Sequence, residues 1–534
     1  MWNKLNKLLK GNSLDEKSKL HKKLTNNIKL FEQKFDKVDD LKYRYLTLTN
    51  QDGQKIKACL LYIESMIDRE IINNDLIKPL TEKSKFFLPA SSRSEQVLDL
   101  LSEEIINIED SQKFKKIHEA SDYILAGFTI LLIDGYNCGL SLGTQGWSER
   151  SVSTPNVERT VRGPQESFME NIKVNIGLVR RRVRHPNLKL LSFKLGKFSK
   201  TEVVIMYIDG IASSKIVKEV NKRINDIEVG QIIGCSQVAE LIEDNPQSIF
   251  NTIYESERPD VITAGIHEGR VAILTDGCPT AQLVPKLFME NFISPEDYYF
   301  RFWFTLPLRT MRFVAYLIST LLPAIYVSVI SFHQEVVPMT LARTIYVSRQ
   351  GVPFPILVEL FLFLFLFEVI KEAGATVPTA LSTSITIVGT LILGQAAITA
   401  GFLSADGVII GSITGITIFL LPVIEFSHAL LFVRFFLLFA AAIDGFFGMT
   451  IVSILLIVHL ASLRSFGVPY LNPVAPLQEK SLKDFVVRVP YFFMDGRPAE
   501  IASRNKTRQR NRPLSKYFFK FKLGEKQENK NEED

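Results

Sequence analysis

Met311–Phe332, MRFVAYLISTLLPAIYVSVISF, holds a single charge in 22 residues. A helix of that length crosses the roughly 30 Å hydrocarbon core of a bilayer. The stretch therefore makes this chain an integral membrane protein. Immediately upstream, SPEDYYFRFWFTLPLRT gathers aromatic residues with Arg301, Arg309 and Arg312, a composition suited to a cytoplasmic membrane interface. Downstream, Pro355–Ile370 is apolar but interrupted by Glu359 and Glu368. Ser384–Phe402 and Val408–Ile424 are further span candidates, parted by a short loop containing LSAD. Ala429–Leu463 is too long for one straight span, and Arg434 and Asp444 divide it into two shorter ones. Six spans result if every segment crosses. Four result if Pro355–Ile370 lies at the interface and the last stretch counts once.

An even number agrees with the two ends. The N-terminal MWNKLNKLLKGNSLDEKSKLHKKL has no apolar core or cleavage site of a secretory leader. Past the last span, Arg504, Lys506, Arg508, Arg510 and Arg512 follow in close succession, the pattern of a cytoplasmic flank. Both ends are thus expected on the cytoplasmic side. Averaged over 534 residues, 46% hydrophobic and 22% charged look like a soluble protein. The average hides a polar half before about Pro295 and an apolar half between Met311 and Leu463. A chain this long needs at least two folding units. The net charge of +6 suits anionic lipid headgroups as well as any nucleic acid. Cys59, Cys138, Cys235 and Cys278 lie far apart, with no CxxC or zinc spacing, and read as buried reduced thiols.

The polar half contains an internal echo. KACLLYIESMIDREII, from Lys57, aligns without gaps on EVVIMYIDGIASSKIV, from Glu202, when Tyr62 is laid on Tyr207. A second pair, GFTILLIDG (Gly127–Gly135) and GRVAILTDG (Gly269–Gly277), recurs at a similar offset. Two strand-and-turn units in the same order predict a duplicated α/β subdomain. Between the copies, Gln165–Arg182 has helical period, with Phe168, Ile172, Ile176 and Val179 on one face. Arg180, Arg181, Arg182 and Arg184 suit the negative end of its dipole. Without interleaved aromatics, that arginine run reads as a solvated or subunit-facing helix end, not a nucleic-acid surface.

The expected architecture is a multi-domain membrane protein, with duplicated N-terminal α/β cytoplasmic domains followed by an α-helical transmembrane bundle of four to six spans. Its expected parts are a charged extension (1–42), a first α/β subdomain (43–150), a linker and helix (151–199), a second α/β subdomain (200–300), the bundle (301–465) and a basic cytoplasmic tail (466–534).

Ionisable groups inside apolar spans are costly and face a bundle interior or an aqueous path. Glu359, Glu368, Gln395, Asp406, Arg434 and Asp444 are the candidates. Glu359 and Glu368 are nine apart, which puts them on roughly opposite helix faces. In a symmetric oligomer one glutamate per subunit would form a cation-selective ring. The plainer alternative is pairing within the chain, Glu368 with Lys371 or Arg434 with Asp444. Small residues from Gly389 to Gly415, among them Gly394, Ala396, Ala397, Gly401 and Gly411, permit close helix approach in lipid. Catalysis has no support: there is no P-loop, GxSxG, HExxH or dinucleotide fingerprint, and no cofactor or metal site is expected.

Several stretches together, VRGPQESFMENIKVNIGLVRRR, EDNPQSIFNTIYESERPDVITAGIHEGRVAILTDGCP, SPEDYYFRF, SRQGVPFP, LILGQAA and LRSFGVPYLNPVAP, closely resemble the GerA family of spore germination proteins. The resemblance runs from about Tyr43 to Pro476. It implies the A subunit of a nutrient germinant receptor in the spore inner membrane, acting with a transporter-like B subunit and a lipoprotein C subunit. It also implies a homo-oligomeric ring forming a nutrient-gated channel that releases monovalent cations. A non-conducting scaffold, or the accessory germination channel paralogue of the same family, are the alternatives. By the same resemblance Arg162, Gly163 and Pro164, and Arg349, Gly351, Val352, Pro353 and Pro355, are structural or gating positions. Cys278, where the family commonly has Thr or Ser, is a mild departure.

Overall fold

The computed structural model describes residues 18–49, 55–82, 94–146, 154–155, 158–376 and 394–478, with scattered positions between 484 and 508. Helix α1 (Leu24–Lys34) precedes a five-stranded antiparallel sheet of β1 (Leu41–Thr49), β2 (Lys55–Ile63), β3 (Ser111–Phe114), β4 (Thr129–Ile133) and β5 (Gly139–Leu142), in the order β1-β2-β4-β5-β3. Helix α2 (Ile117–Leu125) lies between β3 and β4. Strand β4, TILLI, is apolar without alternation and every residue of it is buried, because both faces of the sheet are covered. Leu24, Ile28 and Phe31 of α1 and Ile117, Ala120 and Ile124 of α2 cover one face. Helical runs over 69–82 and 94–105 cover the other with Leu76, Leu80, Leu98 and Leu101.

The second unit follows. Helix α3 (Ile172–Arg182) leads into β6 (Leu188–Leu195) and β7 (Thr201–Ile208), then α4 (Ser214–Asn225), α5 (Cys235–Ile242), β8 (Tyr254–Ser256), α6 (Pro259–Glu268), β9 (Val271–Thr275) and β10 (Ala281–Val284). The strand order is β6-β7-β9-β10-β8, the same winding as the first sheet. The registers coincide too. Ala58 pairs with Ile133 as Val203 pairs with Thr275, and Thr129 with Leu142 as Val271 with Val284. Phe114 and Gly139 likewise match Ser256 and Ala281. These are the partners given by laying Tyr62 on Tyr207 and Gly127 on Gly269. In both units the matching glycines, Gly127 and Gly135, Gly269 and Gly277, take positive φ, which a side chain would strain.

Three expected boundaries fall inside packed structure. Residues 24–41 are part of the first core, so the N-terminal extension is shorter than 1–42. Strand β6 already belongs to the second sheet, which thus begins before residue 200. Phe466, Val468 and Ile501 are buried against β7 and α4, so the segment after 465 returns to the second unit instead of trailing as a tail. Arg504, Arg510 and Arg512 lie outside the described residues. The helix expected over Gln165–Arg182 starts only at Ile172, because the Asn171 side chain accepts from the Lys173 N–H and caps it there.

Its arginines also differ from expectation. Arg180 is 1% exposed and forks onto Asp40, Nε to Oδ2 at 2.7 Å and Nη2 to Oδ1 at 2.6 Å. Arg181 and Arg182 both hold Glu166. Beside Asp40, the chain at Val38 runs along the free edge of β6, with the Leu190 N–H donating to Lys37 O at 2.9 Å. The arginine run joins the two α/β units. Replacing only Asp40 with Ala leaves a buried guanidinium unpaired and should cost about 3 kcal/mol. Thermal unfolding of the full chain in detergent reads the loss, and Asp40→Ala/Arg180→Leu should recover part of it.

The apolar half is helical. Helix α7 (Phe302–Phe332) is followed by α8 (Met339–Ser348), α9 (Ile356–Thr376), α10 (Ala405–Ile418) and α11 (Ile424–Ser462). By length and composition α7 and α11 can each cross a membrane, and α10 is a shorter apolar helix. Most of the Ser384–Phe402 candidate lies outside the described residues, although 394–399 is helical. Helix α11 breaks at Asp444 and Gly445, where φ and ψ leave the helical region. Its two limbs double back. Glu425 on one accepts from Asn251, and His459 on the other meets Ser248 at 3.0 Å. The tip lies against the far end of α7, where a Cβ on Gly445 would come within 3.0 Å of Phe332 and His333. The near ends fuse with the second unit through Phe288, Phe292, Tyr316, Phe426 and Tyr470, whose rings meet edge-on at 5.3–5.9 Å.

Burial holds the carboxyls of Glu158 and Glu255, in the second unit, up at about 7. A folded state that keeps such protons loses stability as pH rises from about 4.5 to 7. Glu158→Gln removes one of these groups. Melting curves across that range should therefore fall less steeply for the variant than for the parent chain.

Candidate functional site

Four helices bring polar groups to one point of the apolar half, where Glu359, Ser404 and Tyr326 are buried and Ser348, Arg349 and Asp406 half-buried. Glu359 is 1% exposed, in the first turn of α9. Its Oε2 accepts from Arg349 Nη1 at 2.8 Å, and its Oε1 accepts from the Ser404 N–H at 2.6 Å and from the Ser404 hydroxyl. Ser404 in turn caps α10, accepting from the Gly407 N–H at 3.1 Å. Asp406, in the first turn of α10, accepts from the hydroxyls of Tyr326 on α7 and Ser348 on α8. Arg349 closes α8, and its Nη2 reaches the Phe354 carbonyl at 3.4 Å. Two hydrogen-bonded sets, Arg349–Glu359–Ser404 and Tyr326–Asp406–Ser348, thus adjoin at the start of α10 and form one polar cluster.

The cluster depends on close helix approach. On α10, Gly407, Gly411 and Gly415 recur every fourth residue and form a groove. On α9, Glu359, Phe363 and Phe367 recur at the same spacing and fill it. A Cβ on Gly407 would lie 2.4 Å from Glu359 Oε1, one on Gly411 2.2 Å from Phe363 Cδ1, and one on Gly415 2.5 Å from Phe367 Cζ. Only a smooth helix face admits this contact, as the small-residue run suggested.

A second cluster lies deeper along α9. Glu368 Oε1 accepts from Arg434 Nη2 at 3.0 Å, and its other oxygen holds Lys371. Arg434 is 2% exposed, with Nε and Nη1 unpartnered among the described residues. The two glutamates therefore face different helices, as nine residues of separation requires. Of the two pairings considered, Glu368 with Lys371 forms, while Arg434 turns to Glu368 and leaves Asp444. Asp444 is exposed at the break of α11, and Gln395 is exposed on the helical stretch 394–399, so neither joins a cluster. Tyr326, Ser348 and Ser404 were not singled out from the sequence. For Ser404 the signal was present, since a serine followed by an acid before an apolar run is a cap.

Of the remaining motif residues, Arg162, Gly163 and Pro164 lie where the second α/β unit meets the root of α7. Arg162 stands 5.4 Å over the Phe300 ring. Gly163 has φ +123°, and a Cβ there would be 2.8 Å from the Tyr299 ring. The Pro164 carbonyl accepts from Arg258 Nη2 at 2.9 Å, and the same guanidinium is paired with Asp260. Gly351 has φ +99° in the loop that carries Pro353 and Pro355 into α9. Arg309 and Arg312, expected near headgroups, instead converge on the fully buried Asp297 at 2.9 and 2.8 Å. Arg309 also holds Asp484 at 2.7 Å, and Arg488 donates to the Asp297 and Phe300 carbonyls. The segment after α11 is thereby clasped onto the root of α7.

The family model for the Bacillus/Clostridium GerA spore germination protein matches residues 29–500. The chain belongs to the GerA family. It is 34% identical to spore germination protein KA of Bacillus subtilis (strain 168) over 91% of this chain and 88% of that one. It is 35% identical to spore germination protein B1 of the same organism, over 91% and 99% respectively. Among solved structures, the crystal structure of the N-terminal domain of the A subunit of the Bacillus megaterium spore germinant receptor GerK3 matches at 30% identity. That match has a TM-score of 0.40 and covers 51% of this chain and 98% of that one.

For this GerA-family chain the glycine groove yields a direct test. Gly411→Ala forces a methyl into Phe363 and should cost about 1–3 kcal/mol by overpacking. Adding Phe363→Leu should relieve much of that cost. Melting temperatures of the parent, both single variants and the double form a cycle whose coupling measures the contact.

Proposed function

We propose that this chain is the A subunit of a nutrient germinant receptor in the spore inner membrane. Copies of it assemble with a transporter-like B subunit and a lipoprotein C subunit into a ring that conducts monovalent cations. Family membership supports the receptor role. The observation that carries the channel reading is the Arg349–Glu359–Ser404–Asp406 cluster, an expensive polar centre tying four helices together inside an apolar bundle.

The helix routing favours six crossings. Helix α7 leaves the soluble unit, and α9 and α10 both run back toward it. The limbs of α11 supply an outward and a returning span. A Cβ on Gly401 would lie 3.7 Å from the Gly351 carbonyl, so the residues leading into α10 stand beside those leading into α9 at the far side. Six crossings put both ends on one face, the cytoplasmic face by the positive-inside pattern. The coincident registers of the two sheets support an internal duplication, with the doubled unit as assembly platform.

In this scheme Glu359 and Asp406 act as a latch. Their oxygens are occupied within the chain, which favours gating over lining a pore. Asp444 and Gln395, both exposed, remain the candidates for a conducting path. The same full pairing of Glu359 and Glu368 favours a second reading, a non-conducting scaffold that couples the nutrient-binding partner to other machinery.

Reconstitution of the three-subunit complex in liposomes separates the two. We expect nutrient-dependent potassium flux. Glu359→Gln should raise nutrient-independent flux about tenfold by weakening the Arg349 contact, equivalent to roughly 1.4 kcal/mol. A correctly assembled complex without flux would overturn the channel and leave the scaffold.

A further inference from the structure

Two of the four cysteines meet. Cys235 is the first residue of α5, and Cys278 lies in the turn between β9 and β10. The Cys235 N–H donates to Cys278 Sγ at 2.8 Å, and Cys235 Sγ is 3.0 Å from the Thr280 hydroxyl. Both thiols are free and buried, with 8% of Cys235 still open to solvent. Cys59 and Cys138, by contrast, belong to separate cores on opposite faces of the first sheet.

The surroundings make the two sulfurs unequal. Cys235 has the amide groups of a helix N-terminus and the Thr280 hydroxyl to support a thiolate. The hydrogen bond between the two sulfurs lowers the Cys235 thiol and raises the Cys278 thiol. A low-pKa thiol beside a protonated neighbour is the arrangement of an attacking and a resolving cysteine. Gln282 fixes the site from β10, donating to the Cys235 carbonyl at 2.6 Å and to Glu255 at 2.8 Å.

We propose that Cys235 and Cys278 form a peroxide-reactive dithiol, with Cys235 as the modified residue and Cys278 as the resolving one. The Cys235 thiolate attacks one oxygen of hydrogen peroxide and the O–O bond breaks. The leaving hydroxide takes a proton and departs as water, leaving a sulfenic acid. The Cys278 sulfur then attacks Cys235 Sγ and the S–O bond breaks. A second water leaves with the Cys278 proton. Two electrons pass from the two sulfurs to the peroxide, and the product is one disulfide.

That bond ties the start of α5 to the β9–β10 turn. At the end of α5, Glu243 accepts from the Thr252 N–H at 2.6 Å and from its hydroxyl at 2.7 Å. The intervening loop carries Ser248 and Asn251, which touch both limbs of α11. Oxidation would therefore stiffen the element through which the second unit grips the membrane hairpin.

The test uses the full chain in detergent, treated with a tenfold excess of hydrogen peroxide, alkylated and digested for mass spectrometry. We expect a peptide linking Cys235 to Cys278, formed at least tenfold faster than any product of Cys59 or Cys138. In Cys278→Thr, which keeps a small polar group in the turn, dimedone should instead trap a sulfenic acid at Cys235. Oxidation of all four thiols at equal rates would overturn the proposal. So would a Cys235 sulfur that neither links in the parent chain nor takes dimedone in the folded variant.

Discussion

A carboxylate inside an apolar bundle has no water to solvate it, and its partners must come from the protein. The membrane half is arranged around this requirement. Glu359 draws Arg349 across from the end of α8 and the cap of α10 against α9. Asp406 then fixes the same cap to α7 and α8. Glu368 in turn anchors Arg434 on the first limb of α11. Each acid thus specifies which helices are neighbours and at what height they meet. The glycine groove of α10 serves the same requirement, since only a backbone without side chains lets Ser404 and Gly407 reach Glu359.

The same logic governs the passage from soluble to membrane half. Asp297 is fully buried and is met by Arg309 and Arg312 from the first turns of α7. Arg258, also buried, pulls the Pro164 loop and Asp260 together, and the Tyr299 hydroxyl binds that same Asp260. Neutralised charge at the root of α7, with the aromatic cluster of Phe288, Phe292, Phe426 and Tyr470, makes the junction a packed interface. The second α/β unit is therefore packed directly onto α7 and onto both limbs of α11.

Much of this was legible in the residues. The two sheet registers follow from aligning Tyr62 on Tyr207 and Gly127 on Gly269, because glycine at positive φ and a run of apolar residues leave few alternatives. Glu359, Asp406 and Arg349 were singled out separately, by charge in an apolar run or by family motif. That they belong to one cluster was not legible, since 57 residues part Arg349 from Asp406. The hydroxyls of Tyr326 and Ser348 carry no charge and raise no signal on an apolar helix. The arginines of α3 looked solvated because Asp40, which buries Arg180, lies in the other α/β unit.

The class of the protein could be read from composition and pattern: long apolar runs cannot remain in water, and a strand-turn pattern repeated in order predicts two sheets of like register. The same pattern requires partners for the acids within those runs. The partners themselves emerge only in the folded bundle, because pairing depends on which helix faces meet and not on distance along the chain. The segment Met311–Phe332 could announce a membrane span from its own composition. That its Tyr326 would hold Asp406, and that its far end would rest on the break of α11, required the whole bundle.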